Sequence, residues 1–145
     1  MTTNAEKLGT LGESLVFEHF NGTLSTNKYD QDGDGTLLNG QMAEVKCQNR
    51  WRVEHSFTIP MPHQGKHTNQ IRKCIAVERL FFVEYEVQPR SNIIKIWECT
   101  DRNYLIRNTT RGPQAIFDIN KMTLIDEFAN IEIANRMFEL SQAVK

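Results

Sequence analysis

The sequence predicts an α/β fold in which helices flank a mixed central β-sheet. Apolar residues recur at helical spacing near both ends of the chain and once in the middle, and several β-rich runs lie between these segments. No internal repeat or Pro/Gly/Ser-rich linker divides the 145 residues, and a hydrophobic fraction of 39% is enough for one core. We therefore expect a single domain over residues 1–145.

The first helix is predicted over residues 4–20, where Leu8, Leu11 and Leu15 recur at helical spacing and an Asn-Gly pair ends the pattern. Glu13 projects between apolar positions of this helix, where a carboxylate is costly without a partner. Glu13 is therefore either a ligand or a surface residue on an imperfect helical wheel.

A strand is predicted over residues 23–29, followed by an aspartate-rich loop. Two further strands are predicted over residues 36–38 and 41–48, joined by Asn39-Gly40. An Asn-Gly pair between apolar runs is a strong signal for a β-hairpin.

The second half of the chain continues with alternating helical and β-rich patterns. Turn residues around the Gln-Pro-Arg-Ser-Asn segment separate two β-rich runs, which predicts a second hairpin. The predicted elements are a helix over residues 68–79, strands over 80–87, 93–99 and 115–119, and a closing helix over 124–144.

The net charge of -1 does not by itself indicate a nucleic-acid partner, but the charges are unevenly distributed. Residues 1–43 hold two basic residues against six acidic ones, whereas residues 44–80 hold seven against three. Acidic groups for a metal beside basic groups for phosphate are what a phosphodiester-cleaving site needs. Uneven surface charge in a short chain is the alternative explanation.

No segment approaches the ~20 apolar residues of a membrane-spanning helix, and the N-terminus lacks the basic start and apolar run of a signal peptide. The three cysteines are widely spaced and form no CxxC pair, so neither a disulfide framework nor a zinc ribbon is indicated. We expect an intracellular, cytoplasmic protein without a membrane partner.

Residues 30–46 can form two different metal sites. In the first, Glu44 and Lys46 share one face of a strand while Val45 points to the opposite layer. The carboxylate can then bind a divalent cation while the amine meets a scissile phosphate or the attacking water. An aspartate on the neighbouring strand would complete a site that suits Mg²⁺.

The register of the hairpin tests this first interpretation. A two-residue loop at Asn39-Gly40 places Asp34 opposite Val45, on the wrong face. A three-residue loop that pairs Leu38 with Met42, or a bulge at a neighbouring glycine, places Asp34 on the face of Glu44 and Lys46. We predict such an irregularity.

In the second interpretation, Asp30, Asp32 and Asp34 begin an EF-hand-like calcium loop over residues 30–41. The match fails at its twelfth position, because Gln41 cannot supply a bidentate carboxylate and a strand-like run replaces the exiting helix. A solvated acidic turn is a third interpretation.

With these residues identified, the chain resembles the PD-(D/E)XK nuclease superfamily and, among its small members, Holliday-junction resolvases and related phage endonucleases. The resemblance covers about residues 6–98. It is carried by Leu11-Gly-Glu13, Asp34, Glu44-Val-Lys46-Cys, Phe57-Thr-Ile-Pro60, Asn69-Gln70-Ile-Arg-Lys73 and Phe81-Phe-Val-Glu-Tyr85.

The resemblance implies a restriction-endonuclease-like core and a site for Mg²⁺ or Mn²⁺. Asp34, Glu44 and the carbonyl of Val45 would bind the metal, and Lys46 would orient or activate the attacking water. Glu13 would support the metal site. Because three aspartates stand where the family has one, the choice among Asp30, Asp32 and Asp34 stays open.

Substrate contacts are expected on both sides of this site. The resemblance assigns Gln70 and Lys73 to substrate binding. Arg50 and Arg52 follow the predicted strand that carries Glu44 and Lys46, and they can bind phosphates. Trp51 between them is either a base-stacking residue or the half-buried end of that strand.

Other polar and aromatic residues have simpler interpretations. His55, His63 and His67 fit no zinc spacing, so phosphate contact or plain surface is expected for them. Glu84 lies in an alternating run that predicts a half-exposed strand, and Trp97 is predicted to be core.

The expected function is that of a metal-dependent endodeoxyribonuclease that acts on branched or junction DNA by in-line attack of water. The resemblance to phage endonucleases implies that the protein is encoded by a phage. A non-catalytic calcium-binding domain and a DNA-binding domain with an inactive site are the alternatives. A second copy would let so small a nuclease span two strands. Ile131, Met137 and Phe138 of the closing helix could then form a homodimer interface or pack on their own sheet.

Overall fold

The computed structural model describes residues 3–24, 34–49, 56–61, 68–86, 91–110 and 112–142. It contains two sheets and three α-helices within these ranges, which confirms the predicted α/β class with a mixed central sheet flanked by helices. The elements are α1 (Asn4–His19), β1 (Thr23–Leu24), β2 (Gly35–Thr36), β3 (Met42–Asn49), β4 (Ser56–Pro60), α2 (Thr68–Ala76), β5 (Arg79–Tyr85), β6 (Ile93–Cys99), β7 (Leu105–Thr109), β8 (Gly112–Asp118), β9 (Met122–Ala129) and α3 (Ile131–Gln142).

The larger sheet has six strands in the order β1-β2-β3-β5-β6-β9. Strands β3 and β5 pair in parallel, and the other described neighbours pair antiparallel. The smaller sheet has the order β4-β8-β7 and is antiparallel throughout. Because β4 and α2 lie between β3 and β5 in sequence, the parallel connection carries both across one face of the larger sheet.

Each face of the larger sheet is covered by its own apolar cluster. On one face, residues of α1 and α3 pack against β3, β5 and β6, with Val16, Phe81 and Met137 among the fully buried side chains. On the other face, α2 and the smaller sheet pack around Phe57 and Phe82, whose rings stack at 4.5 Å. Strand β5 is therefore covered on both sides, as its nearly continuous apolar sequence suggests.

Helix α1 begins and ends at capping residues. The side chain of Thr3 accepts a hydrogen bond from the amide of Glu6 at 3.1 Å, which satisfies one free N–H of the first turn. Asn21 then adopts a positive φ of 52°, which stops the helix. The buried side of α1 lies on β3, and the helix carries Glu13 close to Asp34 and Glu44.

Two glycines of α1 give a matched test of this packing. A Cβ atom at Gly12 would lie 2.9 Å from the Cβ of Cys47, whereas a Cβ atom at Gly9 would have no neighbour within 4 Å. We expect Gly12→Ala to destabilise the protein by about 1–3 kcal/mol, because α1 must move away from β3. Gly9→Ala should stabilise it by about 0.5–1 kcal/mol through helix propensity. Urea unfolding of both variants measures the difference, and equal effects of the same sign would contradict the close contact.

The predicted closing helix over 124–144 is wrong over residues 124–129. Residues there form β9, which pairs with β6 over seven residue pairs and a bulge. Helix α3 starts only after Asn130, whose side chain accepts from the amide of Ile133 at 3.0 Å. The apolar spacing of β9 fits a helix as well as a strand, and the free edge of β6 decides between them.

Other predictions differ in detail. The helix predicted over 68–79 ends at Ala76, because Arg79 already begins β5. Strands β4 and β7 were not predicted, and residues 25–29 of the predicted first strand lie outside the described residues. Met137 is fully buried against the larger sheet, so it packs within its own chain and is closed to a partner. Among the described residues, no helix has the length and apolar character to cross a membrane.

Candidate active site

The candidate site lies at the edge of β3, where β2 ends and β3 continues. Thr36 pairs with Met42 across the hairpin, and the amide of Leu37 donates to the carbonyl of Gln41 at 2.9 Å. Three residues, Leu38 to Gly40, therefore form the turn, and Gly40 adopts the positive φ of 88° that such a turn places on a glycine.

This turn decides the face on which Asp34 lies. The pairing of Gly35 with Ala43 places Asp34 opposite Glu44, and the amide of Asp34 donates to the carbonyl of Ala43 at 2.8 Å. The predicted irregularity is confirmed, and of the two forms considered it is the three-residue loop. The predicted pairing of Leu38 with Met42 is wrong, because Met42 pairs with Thr36 instead. A shift by two residues leaves alternate side chains on the same face, so Asp34 still lies on the face of Glu44 and Lys46.

Gln41 anchors the turn to the rest of the sheet. Its side-chain oxygen accepts from Asn39 at 2.8 Å and from the guanidinium of Arg79 at 3.1 Å. Arg79 in turn pairs with Glu98 on β6 and lies over the ring of Phe20. The turn that sets the register is thus fixed by contacts from distant parts of the chain.

Asp34 joins the two strands and α1. Its carboxylate accepts from the amide of Val45 at 2.7 Å and is hydrogen-bonded to the carboxyl groups of Glu44 and Glu13. Burial is the main cause that raises the pKa of Asp34 to about 6. A hydrogen bond between two carboxyl groups needs a proton on one of them, so these contacts belong to forms in which one partner is protonated.

Glu44 is the most buried of these acids, with 1% of its surface exposed. Its Oε2 lies 3.3 Å from the Nζ of Lys46, whereas its Oε1 is buried without a hydrogen-bond partner. The Nζ of Lys73 is 3.9 Å from Oε1, a charge contact too long for a hydrogen bond. Burial is the largest influence and raises the pKa of Glu44 to about 7. The charge of Lys46 acts in the opposite direction, and the charge of Asp34 adds to the effect of burial.

The pKa values of Lys46 and Glu13 follow from the same surroundings. Burial is the largest single influence and lowers the pKa of Lys46, but the acidic groups around it, Glu44 first among them, together outweigh burial and the pKa is raised. Burial raises the pKa of Glu13, while its hydrogen bond with Asp34 works in the opposite direction. The site therefore holds acidic groups that are costly to ionise beside one amine, that of Lys46, whose charged form is favoured.

The donor set fits a divalent cation that takes few protein ligands. Within the described parts of the chain, no three His, Cys, Asp or Glu side chains already surround one point as a metal site. The set here is two carboxylates and a carbonyl. Since the amide of Val45 points to the edge where Asp34 lies, the carbonyl of Val45 points there too. The unsatisfied Oε1 of Glu44 is the acceptor that a cation would complete.

No model of a known protein family matches this chain, and no curated protein does. The likeness to PD-(D/E)XK nucleases therefore rests on the residues quoted above. The structure brings Glu13, Asp34, Glu44, Lys46 and Lys73 together.

Several predicted site residues lie outside the described residues. These are the aspartates Asp30 and Asp32, the Arg50-Trp51-Arg52 cluster and the histidines His55, His63 and His67. Gln70 lies in α2, but its side chain is not described.

The described half of the proposed calcium loop has a different structure. Gly35 and Thr36 belong to β2, and the residues up to Gln41 form the hairpin turn, followed by β3. A calcium loop of the EF-hand type would continue into a helix at this point. The described residues therefore form a hairpin where that interpretation needs a loop and a helix.

Sequence reasoning missed two polar contacts near the site. Gln48 binds the backbone amide of Thr58 at 3.0 Å and so ties β4 to β3. Glu84, predicted to be half-exposed, is buried and accepts from the indole N–H of Trp97 at 2.8 Å. Trp97 itself is only partly buried. The alternating pattern of β5 did not predict the burial of Glu84, because the smaller sheet covers the face that would otherwise be solvated.

Proposed function

We propose that this protein is a divalent-metal-dependent endonuclease that hydrolyses phosphodiester bonds of DNA. The observation that carries the proposal is the meeting of Asp34 and Glu44 across β2 and β3, with Lys46 3.3 Å from Glu44. A carboxylate pair for a cation beside an ammonium group for phosphate is the minimum set for this hydrolysis.

Each of the site residues has a role in the proposed reaction. Asp34, Glu44 and the carbonyl of Val45 would hold Mg²⁺ or Mn²⁺, which supplies stabilisation of the charge that develops on the phosphate. The ammonium of Lys46 donates a hydrogen bond to the attacking water or to a phosphate oxygen. Glu13 fixes the orientation of Asp34 through their hydrogen bond.

In the proposed hydrolysis, water attacks the phosphorus and one ester oxygen departs. An oxygen of water forms a bond to phosphorus in line with the departing oxygen, and the P–O bond to that oxygen breaks. The attacking water loses a proton to solvent, and the departing oxygen takes up a proton from solvent. The products are a phosphate monoester end and a hydroxyl end. The charge that grows on the non-bridging oxygens is met by Lys46 and by Lys73, whose Nζ lies 3.9 Å from Glu44.

DNA is the proposed partner because the segment that follows the site is basic, with seven Lys or Arg residues against three acidic ones over residues 44–80. Preference for branched DNA rests on the resemblance to junction resolvases, and so does a homodimer that would place two sites on two strands. A cytoplasmic location accords with a DNA substrate.

A nicking assay tests the proposal. Supercoiled plasmid and four-way-junction DNA are incubated with wild type in Mg²⁺, Mn²⁺ or Ca²⁺. We expect cleavage in Mg²⁺ or Mn²⁺, and we expect Lys46→Ala to lower the rate at least about 100-fold, because an ammonium contact to the developing charge is lost.

Lys95→Ala is the matched control, because Lys95 pairs with Glu127 on the larger sheet away from the site. It should cleave at the wild-type rate. Absence of cleavage by wild type on every substrate, or equal loss in both variants, would reject the proposed function.

A further inference from the structure

Helix α2 carries Lys73 to the site on only nine residues, and a helix of this length is not stable by itself. Ile71 and Cys74 attach its inner side to the core between the sheets. Among the described side chains of α2, these two are the buried ones, so a contact at the C-terminal end of the helix helps to hold Lys73 in place.

Arg102, in the connection after β6, supplies this attachment. Its guanidinium donates to the carbonyls of Cys74 at 2.6 Å and Val77 at 2.9 Å, and more weakly to Glu78 at 3.3 Å. Its Nε donates to the carbonyl of Cys99 at 2.8 Å. One side chain thus joins the last turn of α2 to the end of β6.

The chemistry of these contacts is specific to arginine. The last carbonyls of a helix have no partner within the helix and lie at the negative end of its dipole. A planar guanidinium with five N–H donors can bind several of these carbonyls at once. The single ammonium group of a lysine cannot reproduce that arrangement of donors. The side chain of Glu78 adds a second attachment, since it accepts from the amide of Met42 at 3.0 Å.

We propose that Arg102 is a positioning residue that sets Lys73 against Glu44. Lys73 is one residue before Cys74, whose carbonyl receives the shortest bond from Arg102. A shift of the last turn of α2 would change the 3.9 Å separation of Lys73 from the unsatisfied Oε1 of Glu44. The positioning is a structural statement, and only its effect on cleavage rests on the proposed function.

The experiment compares wild type, Arg102→Lys and the control Arg136→Lys, which alters an exposed arginine of α3 that pairs with Glu139. The side-chain ¹³C–¹H signals of Lys73 are assigned by NMR in each folded protein. We expect them to move in R102K and to stay in place in R136K. If R102K does not fold, Arg102→Gln, which keeps two amide donors, takes its place.

Cleavage kinetics form the second arm. We expect R102K to lower kcat about 10- to 100-fold with a smaller change in KM, because a small misplacement of a reacting group costs rate. The same substitution should have little effect in a Lys73→Ala background. Unmoved Lys73 signals, or an equal kcat loss in that background, would overturn the inference. If wild type cleaves no DNA, the proposed function fails and the NMR comparison still decides the role of Arg102.

Discussion

Asp34→Asn should abolish cleavage, with a loss of at least about 1,000-fold, because it removes a charge from the pair of acids that, among the described residues, would hold the proposed cation with Val45. The asparagine oxygen can still accept from the amide of Val45, which Asp34 now does at 2.7 Å, so the hairpin should keep its register. Binding of Mn²⁺ by calorimetry should weaken by at least about 10-fold, which is the size seen when groups around a metal are altered.

The matched control is Asp126→Asn, which removes an aspartate that pairs with His19 far along the sheet. It should leave both cleavage and Mn²⁺ affinity unchanged. Asp30→Asn and Asp32→Asn test the other two candidate ligands. Full activity in D34N together with its loss in D30N or D32N would move the ligand assignment to that residue.

Glu44→Gln should change how stability depends on pH in the absence of divalent cations. The pKa of Glu44 is raised from an ordinary value of 4.5 to about 7 in the folded protein. Below pH 4.5 the group is protonated in both states and imposes no penalty. Above about pH 7 it must ionise within the fold, so wild-type stability falls as pH rises through this window.

The glutamine lacks this titration. The free energy of unfolding of E44Q minus that of wild type should therefore increase by about 1–3 kcal/mol between pH 5 and pH 8. The change with pH is the expected result, because loss of the contact with Lys46 adds an offset at every pH.

Urea unfolding in EDTA at several pH values measures this difference. Glu127→Gln is the control, since it makes the same substitution at a side chain of the same sheet that is 49% exposed. A difference between E44Q and wild type that stays constant from pH 5 to pH 8 would show that Glu44 ionises freely, contrary to its buried position.

Much of the fold follows from local pattern. The periodicity of α1 and the alternation around β6 predict elements whose ends agree with the structure within one residue. Both elements bury one consistent face, and their neighbouring turn or capping residues mark the ends. The sequence pattern does not distinguish helix from strand over residues 122–129, because their apolar spacing is compatible with both. Pairing with β6, a contact distant in sequence, makes them a strand.

The composition of the candidate site was also visible in the sequence. Glu44 and Lys46 are two apart in a strand-like run, and Glu13 is an acid at a helix position that otherwise turns inward. These are statements about chemistry and periodicity, and they need no knowledge of the partners. The support from Arg102 could not be found in this way, because its partners are backbone carbonyls that carry no sequence signal.

The sequence by itself determined the set of acids and amines, the helix and strand that carry them, and the need for an irregular hairpin. Only the tertiary structure decided that the turn has three residues and that Asp34 meets both Glu44 and Glu13. The physical reason is that a one-residue change in register reverses every side chain of a strand. That register is fixed by contacts such as Gln41 with Arg79, which join parts of the chain far apart in sequence.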